Sequence, residues 1–155
     1  MKNLAHEVQS KVLITETLNR IMLHADLSQW DKLKEVFADD ITLDYTSEFG
    51  GEPIHLTPKK LVEEWKWLAN YEGSEHIIAG HVIEVDGDTA KATAQEMGVH
   101  KLTNDKGEPF WDNGGHYEFE LKEVSEGNWR VTRMKYVLRW ERGNRGIVDL
   151  VRENK

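Results

Sequence analysis

Asp26 stands in Ala25-Asp26-Leu27-Ser28-Gln29-Trp30, where one apolar helix pattern ends and a second is about to begin. His76 stands in Glu75-His76-Ile77-Ile78-Ala79-Gly80, at the mouth of a long run of Ile and Val. An aspartate and a histidine brought together across an apolar pocket make a general acid/base pair. The carboxylate orients the imidazole and stabilises its protonated form, and the ring exchanges a proton near neutral pH. His100 shares strand parity with Ala90, Ala92, Ala94, Glu96 and Gly98, a face whose small residues leave room for a ligand. It could protonate a departing hydroxyl, and Tyr45 could donate a hydrogen bond to a substrate carbonyl. Each residue also has a plainer reading. Asp26 can cap the second helix, His76 can be a strand-end histidine, His100 can face solvent, and Tyr45 can be a core or interface tyrosine. A buried carboxylate–imidazole pair costs desolvation, so it is seldom kept for stability alone.

Other candidates carry less. His81 lies five residues from His76, and a regular strand turns such a pair to opposite faces. A set of His76, His100, Glu96 and His116 has no metal-ligand spacing such as His-Glu-x-x-His, so no metal is expected. Trp65 and Trp67 point apart on a helix, which predicts one core and one interface residue. Trp111 falls in a polar connection, where it could be a pocket lid or a contact for another subunit.

Positioning these side chains falls to a helical first half and a stranded second half. Leu4, Val8, Val12, Leu18, Ile21 and Met22 recur at helical spacing, which predicts a helix over 4–25. Ser28 or Asp31 can cap a short second helix holding Leu33, Val36 and Phe37, and Ile41 to Tyr45 alternates like a strand. Gly50, Gly51 and Pro53 mark a loop; Thr57-Pro58 starts a helix whose stripe is Leu61, Val62, Trp65 and Leu68, running to about Asn70. Strands follow over 75–85 and 88–102, joined at Asp86-Gly87, then over 115–125 and 129–140, joined at Glu126-Gly127-Asn128. Asn104 to Gly115 reads as a long connection, and the tail with Ile147, Val148, Leu150 and Val151 as a docking segment. Helices segregated from an antiparallel meander make an α+β fold.

The 155 residues suit one domain, 1–155, and six Trp, four Phe and four Tyr supply bulky core material. A net charge of −8 argues against nucleic acid and against anionic membrane surfaces as partners. There is no cysteine, hence no disulfide and no thiolate ligand. No charged-then-apolar leader is seen over Met1 to Leu13 and no run approaches membrane-spanning length, so a cytoplasmic location is the expectation.

The order of elements, with Asp26, Trp30, the segment Ile41 to Tyr45, His76 and His100, resembles the SnoaL-like branch of the nuclear transport factor 2-like (NTF2-like) superfamily over almost the whole chain. Within it the likeness is nearest to scytalone dehydratases, whose catalytic acid, tryptophan, pocket tyrosine and two histidines fall at these spacings. Gly127-Asn128-Trp129-Arg130 and Leu138-Arg139-Trp140 look like that family's last hairpin and strand end. The resemblance implies a cone: a strongly curved antiparallel sheet wrapped around about three N-terminal helices. It also implies Asp26 and His76 as a catalytic dyad, with His100 and Tyr45 beside it. One position departs. The tyrosine that precedes the acid in those dehydratases is Ala25 here, so only Tyr45 remains of two tyrosines that would hold a water against the substrate carbonyl.

The expected function is that of a lyase or isomerase needing no cofactor, acting on a small apolar or aromatic hydroxy-carbonyl compound. Loss of water is the leading reaction, and double-bond migration, hydrolysis or cyclisation could use the same dyad. The alternative is a non-catalytic module of the same fold that binds a small ligand or oligomerises. Alternating apolar residues in the last strands, with Trp129 and Trp140, predict a homo-oligomer, dimer or trimer.

Overall fold

A computed structural model describes residues 3–153. The first helix, α1 (Leu4–Asp26), is capped by Asn3, whose side chain accepts a hydrogen bond from the His6 N–H. It buries Ser10, Ile14, Leu18, Ile21, Met22 and Ala25. Leu4, Val8 and Val12, expected on that stripe, lie on a different face and are exposed. Ser28 ends the helix in a left-handed conformation (φ 54°), and α2 (Trp30–Lys34) follows. Neither Ser28 nor Asp31 caps α2: its N-cap is Gln29, which makes no side-chain cap bond. Phe37 belongs to the next strand rather than to this helix.

That strand is β1 (Phe37–Asp44), followed by α3 (Thr46–Phe49), β2 (Ile54–Leu56) and α4 (Pro58–Trp65). Thr57 caps α4 by accepting from the Lys60 N–H, with Pro58 at the first helical position. The expected helix to Asn70 ends at Trp65, and Lys66–Asn70 tightens into a 3₁₀ segment. Then come β3 (Gly73–Asp86), β4 (Thr89–Lys101), β5 (Phe110–Ser125) and β6 (Asn128–Gly143), closed by α5 (Gly146–Glu153).

The six strands form one curved open sheet in the order β2-β1-β6-β5-β4-β3, and the N-terminal helices pack on it. All pairs are antiparallel except β1 with β6, which is parallel. The concave face holds Ala90, Ala92, Tyr117, Phe119, Leu121, Val131, Met134 and Tyr136, packed on Ile14, Leu18 and Ile21 of α1. A second apolar cluster of Tyr71, Trp111, Ile147, Val148 and Val151 seats α5 beside the 3₁₀ segment.

Two further corrections bear on function. The polar stretch 104–115 is not all connection: β5 begins at Phe110, and Trp111 is a buried strand residue. In β3 the register slips between Ala79 and Val82, with Gly80 at φ 65°. The extra residue reverses the alternation. His76 and His81 therefore lie on the same, half-buried side of the strand, not on opposite faces. Of the two tryptophans expected at a subunit contact, Trp129 is buried and Trp140 is exposed.

Candidate active site

A cavity of about 240 Å³ opens between the concave sheet, α1, α3, α4 and α5. His76, His100 and Tyr45 line it, and Asp26 stands behind His76. Asp26 is the last residue of α1, so its carboxylate is delivered to the edge strand by the packing of that helix on β3. Three hydrogen bonds fix it. Asp26 Oδ1 accepts from the His76 ring at Nδ1 (2.6 Å) and from Ser74 Oγ (3.2 Å), while Oδ2 accepts from the His76 backbone N–H (2.7 Å). Both side chains of the pair are largely buried, with 14% and 12% exposure. Asp26 caps no part of α2.

The chain of contacts continues inward. His76 Nε2 meets His100 Nε2 at 3.1 Å, and His100 Nδ1 donates to the Trp111 carbonyl at 3.0 Å. His100 is buried, stacked on the Trp111 ring at 4.6 Å. Its parity with Ala90, Ala92, Ala94, Glu96 and Gly98 places all six on the buried face. The protons can be counted from these contacts. A carbonyl only accepts, so His100 Nδ1 carries a hydrogen; the carboxylate only accepts, so His76 Nδ1 carries one too. The two facing Nε2 atoms then need one hydrogen between them. The histidine pair holds three protons and a single positive charge opposite Asp26. Burial pulls the His76 pKa down, but the Asp26 hydrogen bond and charge outweigh it, and the net direction is up. Burial and the neighbouring His76 push His100 down to about 4. In the free chain the shared proton therefore rests on His76.

Tyr45 follows β1 and occupies the N-cap position of α3. Its hydroxyl lies 3.3 Å from the Tyr117 hydroxyl, and burial raises its pKa, so it stays a neutral donor. Trp65 packs edge-on against Tyr45 and Phe37 on the main core, as expected of one member of the pair, and both Trp65 and Trp67 line the cavity.

Several lining residues were not foreseen. Glu48 of α3 accepts from Asn113 Nδ2 (2.7 Å) and also lends its backbone carbonyl to Arg145. Burial pushes its carboxyl up to about 7. Behind it Glu96 is buried, its Oε2 accepting from the Tyr136 hydroxyl (2.7 Å), with burial again raising the carboxyl. Glu96 Oε1 and Asn113 Oδ1 have no protein partner among the described residues. Both crowd the α-carbon of Gly98, where a β-carbon would come within 2.3 Å of the Asn113 oxygen. Arg152 of α5 reaches the cavity mouth. None of these four had a motif around it; only the face-sharing of Glu96 with His100 pointed inward. No group of three or more His, Asp or Glu that could hold a metal ion is found among the described residues. Among them, too, no helix is long and apolar enough to cross a membrane.

A family model described as a SnoaL-like domain matches residues 6–135. No curated protein matches the chain by sequence. Solved structures match its fold. The Kfla4162 protein from Kribbella flavida is 24% identical over 92% of this chain and 97% of its own, with a TM-score of 0.82. A candidate scytalone dehydratase from Novosphingobium aromaticivorans is 16% identical over 90% and 91%, with a TM-score of 0.77. An NTF2-like protein with a cystatin-like fold from the same species is 16% identical over 89% and 91%, with a TM-score of 0.70.

Proposed function

Because the chain belongs to the SnoaL-like domain family, we propose that it is a lyase that needs no cofactor and removes water from a small apolar or aromatic hydroxy-carbonyl compound. The observation that carries this is the unbroken line Asp26–His76–His100–Trp111 carbonyl, held at 2.6, 3.1 and 3.0 Å, ending on an apolar cavity. The candidate dehydratase among the structures of like fold supports the reaction class.

The single shared proton gives the pair two arrangements. With the proton on His76 the pair rests. Moved across to His100, it leaves His76 a neutral base, still held by Asp26, and makes His100 an acid. His76 Nε2 then takes the proton from the carbon next to the carbonyl. The electron pair of that C–H bond passes to the carbonyl oxygen, which accepts a hydrogen bond from the neutral Tyr45 hydroxyl. As the carbonyl re-forms, the new C=C bond forms, the β C–O bond breaks, and the departing hydroxyl takes the proton from His100 and leaves as water. His76 ends with the proton taken from carbon and His100 ends neutral, which is the resting arrangement. A substrate with a β,γ-double bond in place of the β-hydroxyl would instead be reprotonated at the γ-carbon, giving double-bond migration into conjugation.

The test is turnover of β-hydroxy aryl ketones, followed by the ultraviolet absorbance of the new conjugated double bond. The wild-type chain is expected to turn over at least one such compound. Folded His76→Asn and Asp26→Asn variants are expected to lose about 10²–10⁴ of that rate, the usual worth of a positioned acid/base group. Equal rates in the variants would remove the dyad from the chemistry.

A further inference from the structure

Arg152 is the only Arg or Lys lining the cavity among the described residues. Its guanidinium carbon lies 4.3 Å from the ring centre of Phe49 and 4.5 Å from that of Trp67. Two rings within cation–π reach confine this guanidinium, and its N–H groups, which make no hydrogen bond to the described residues, stay available to an acceptor. Yet among the described residues this half-buried cation has no hydrogen bond and no ion pair. That is unusual in a chain with 28 acidic residues against 20 basic ones. Arg145, in the turn between β6 and α5, is by contrast engaged with Glu141 and with the Glu48 carbonyl.

The other charges of the cavity are accounted for. Asp26 is matched by His76, and Glu48 keeps its proton up to about pH 7. Glu52 and Glu64 lie at the mouth, both exposed, and neither pairs with Arg152. An unmatched guanidinium held by two aromatic rings in the wall of an apolar cavity is an anion hook. We propose that Arg152 binds the carboxylate of the substrate, so that the compounds taken are small aryl or alkyl acids whose far end reaches His76 and His100. A monoanion is favoured over a phosphate dianion by the acidic residues of the mouth and by a cavity of only about 240 Å³. The inference rests on the reading of this cavity as the substrate site of the dyad.

The experiment is calorimetric titration with 3-phenylpropionate and with its neutral amide, which has the same shape. The proteins are the wild type, Arg152→Gln, Arg152→Lys and His76→Asn. Wild type is expected to prefer the carboxylate by roughly tenfold to a hundredfold, the worth of hydrogen bonds to a charged group. Arg152→Gln is expected to lose that preference while holding the amide as before, and Arg152→Lys to keep part of it. His76→Asn is expected to keep the preference, although it should lose turnover. The proposal is overturned if Arg152→Gln retains the preference, if wild type shows none, or if neither probe binds wild type at millimolar concentration. If the preference instead vanishes in His76→Asn, the anion sits on the histidine pair; Arg152 is then ruled out while the dyad stands.

Discussion

Replacing Glu48 with Gln offers a quantitative test of how dry the cavity wall is. Burial raises the Glu48 carboxyl from an ordinary 4.5 to about 7, more than the Asn113 hydrogen bond and the charge of Arg145 can offset. The sign follows from linkage. Between pH 4.5 and 7 the folded chain holds this proton more tightly than the unfolded chain does. The group therefore weighs against the folded state increasingly as pH rises, and its full penalty is present above pH 7. A window of about 2.5 pH units corresponds to about 3.4 kcal/mol at most. Glu48 is only half-buried, so solvent screening brings the working figure to about 2 kcal/mol. Glutamine has the same shape and can still accept from Asn113 Nδ2, but it cannot ionise. Urea unfolding of both proteins at pH 4.5 and pH 8.5 isolates the term, because the remaining ionisable groups are common to both. Relative to wild type, Glu48→Gln should gain about 2 kcal/mol more at pH 8.5 than at pH 4.5. A difference that stays within about 0.5 kcal/mol across that range would show that the carboxyl titrates normally, and the account of a dry wall would fail.

The remaining expectations concern protons and packing. The proposed mechanism needs one shared proton on the histidine pair, so kcat/KM should be bell-shaped in pH. The acid limb falls near the His100 value of about 4, and the alkaline limb lies above the ordinary histidine 6.5 because Asp26 outweighs the burial of His76; an alkaline limb below 6.5 would contradict the assigned proton. Gly115→Ala would put a β-carbon 2.0 Å from the Val137 backbone oxygen, and Gly98→Ala one 2.3 Å from the Asn113 side-chain oxygen. Backbone yields less than a side-chain end, so Gly115→Ala should cost about 3 kcal/mol and Gly98→Ala about 1 in denaturant unfolding, and the reverse order would refute the contact reading.

The residues that meet in the cavity were legible where a local pattern carried them. Asp26 ends the long period of α1, His76 opens a strand of Ile and Val, and alternation in β4 set His100 on the face of its small neighbours. Those patterns depend only on the helical and strand repeats, which a sequence displays directly. What was hidden has no local repeat. β2 is three residues long, and the start of β5 is masked by Pro109 just before it and by Asp112, Asn113 and two glycines within it. Gly80 read as an ordinary strand residue, and its bulge reversed the place assigned to His81. Leu4, Val8 and Val12 are spaced four apart, which drifts off the buried stripe of α1 while Ser10 beside them is buried. Glu48, Asn113 and Arg152 come from three distant segments whose convergence exists only once the chain is folded.

The parallel pairing of β1 with β6 has a kinetic consequence. β3 to β6 can zip as successive hairpins, each closing a short loop, whereas joining Asp44 to Lys135 closes almost the whole stranded half of the chain at once. Long closures cost more chain entropy and come late. Asp26 and Tyr45 lie on the N-terminal side of that seam, and His76 and His100 lie within the meander. A nascent meander thus carries both imidazoles without Asp26, which joins them when α1 docks on β3, while Tyr45 is brought to the cavity with the β1–β6 seam. On the proposed function, an unfinished or partly opened molecule lacks the carboxylate or the tyrosine and is expected to be silent rather than promiscuous.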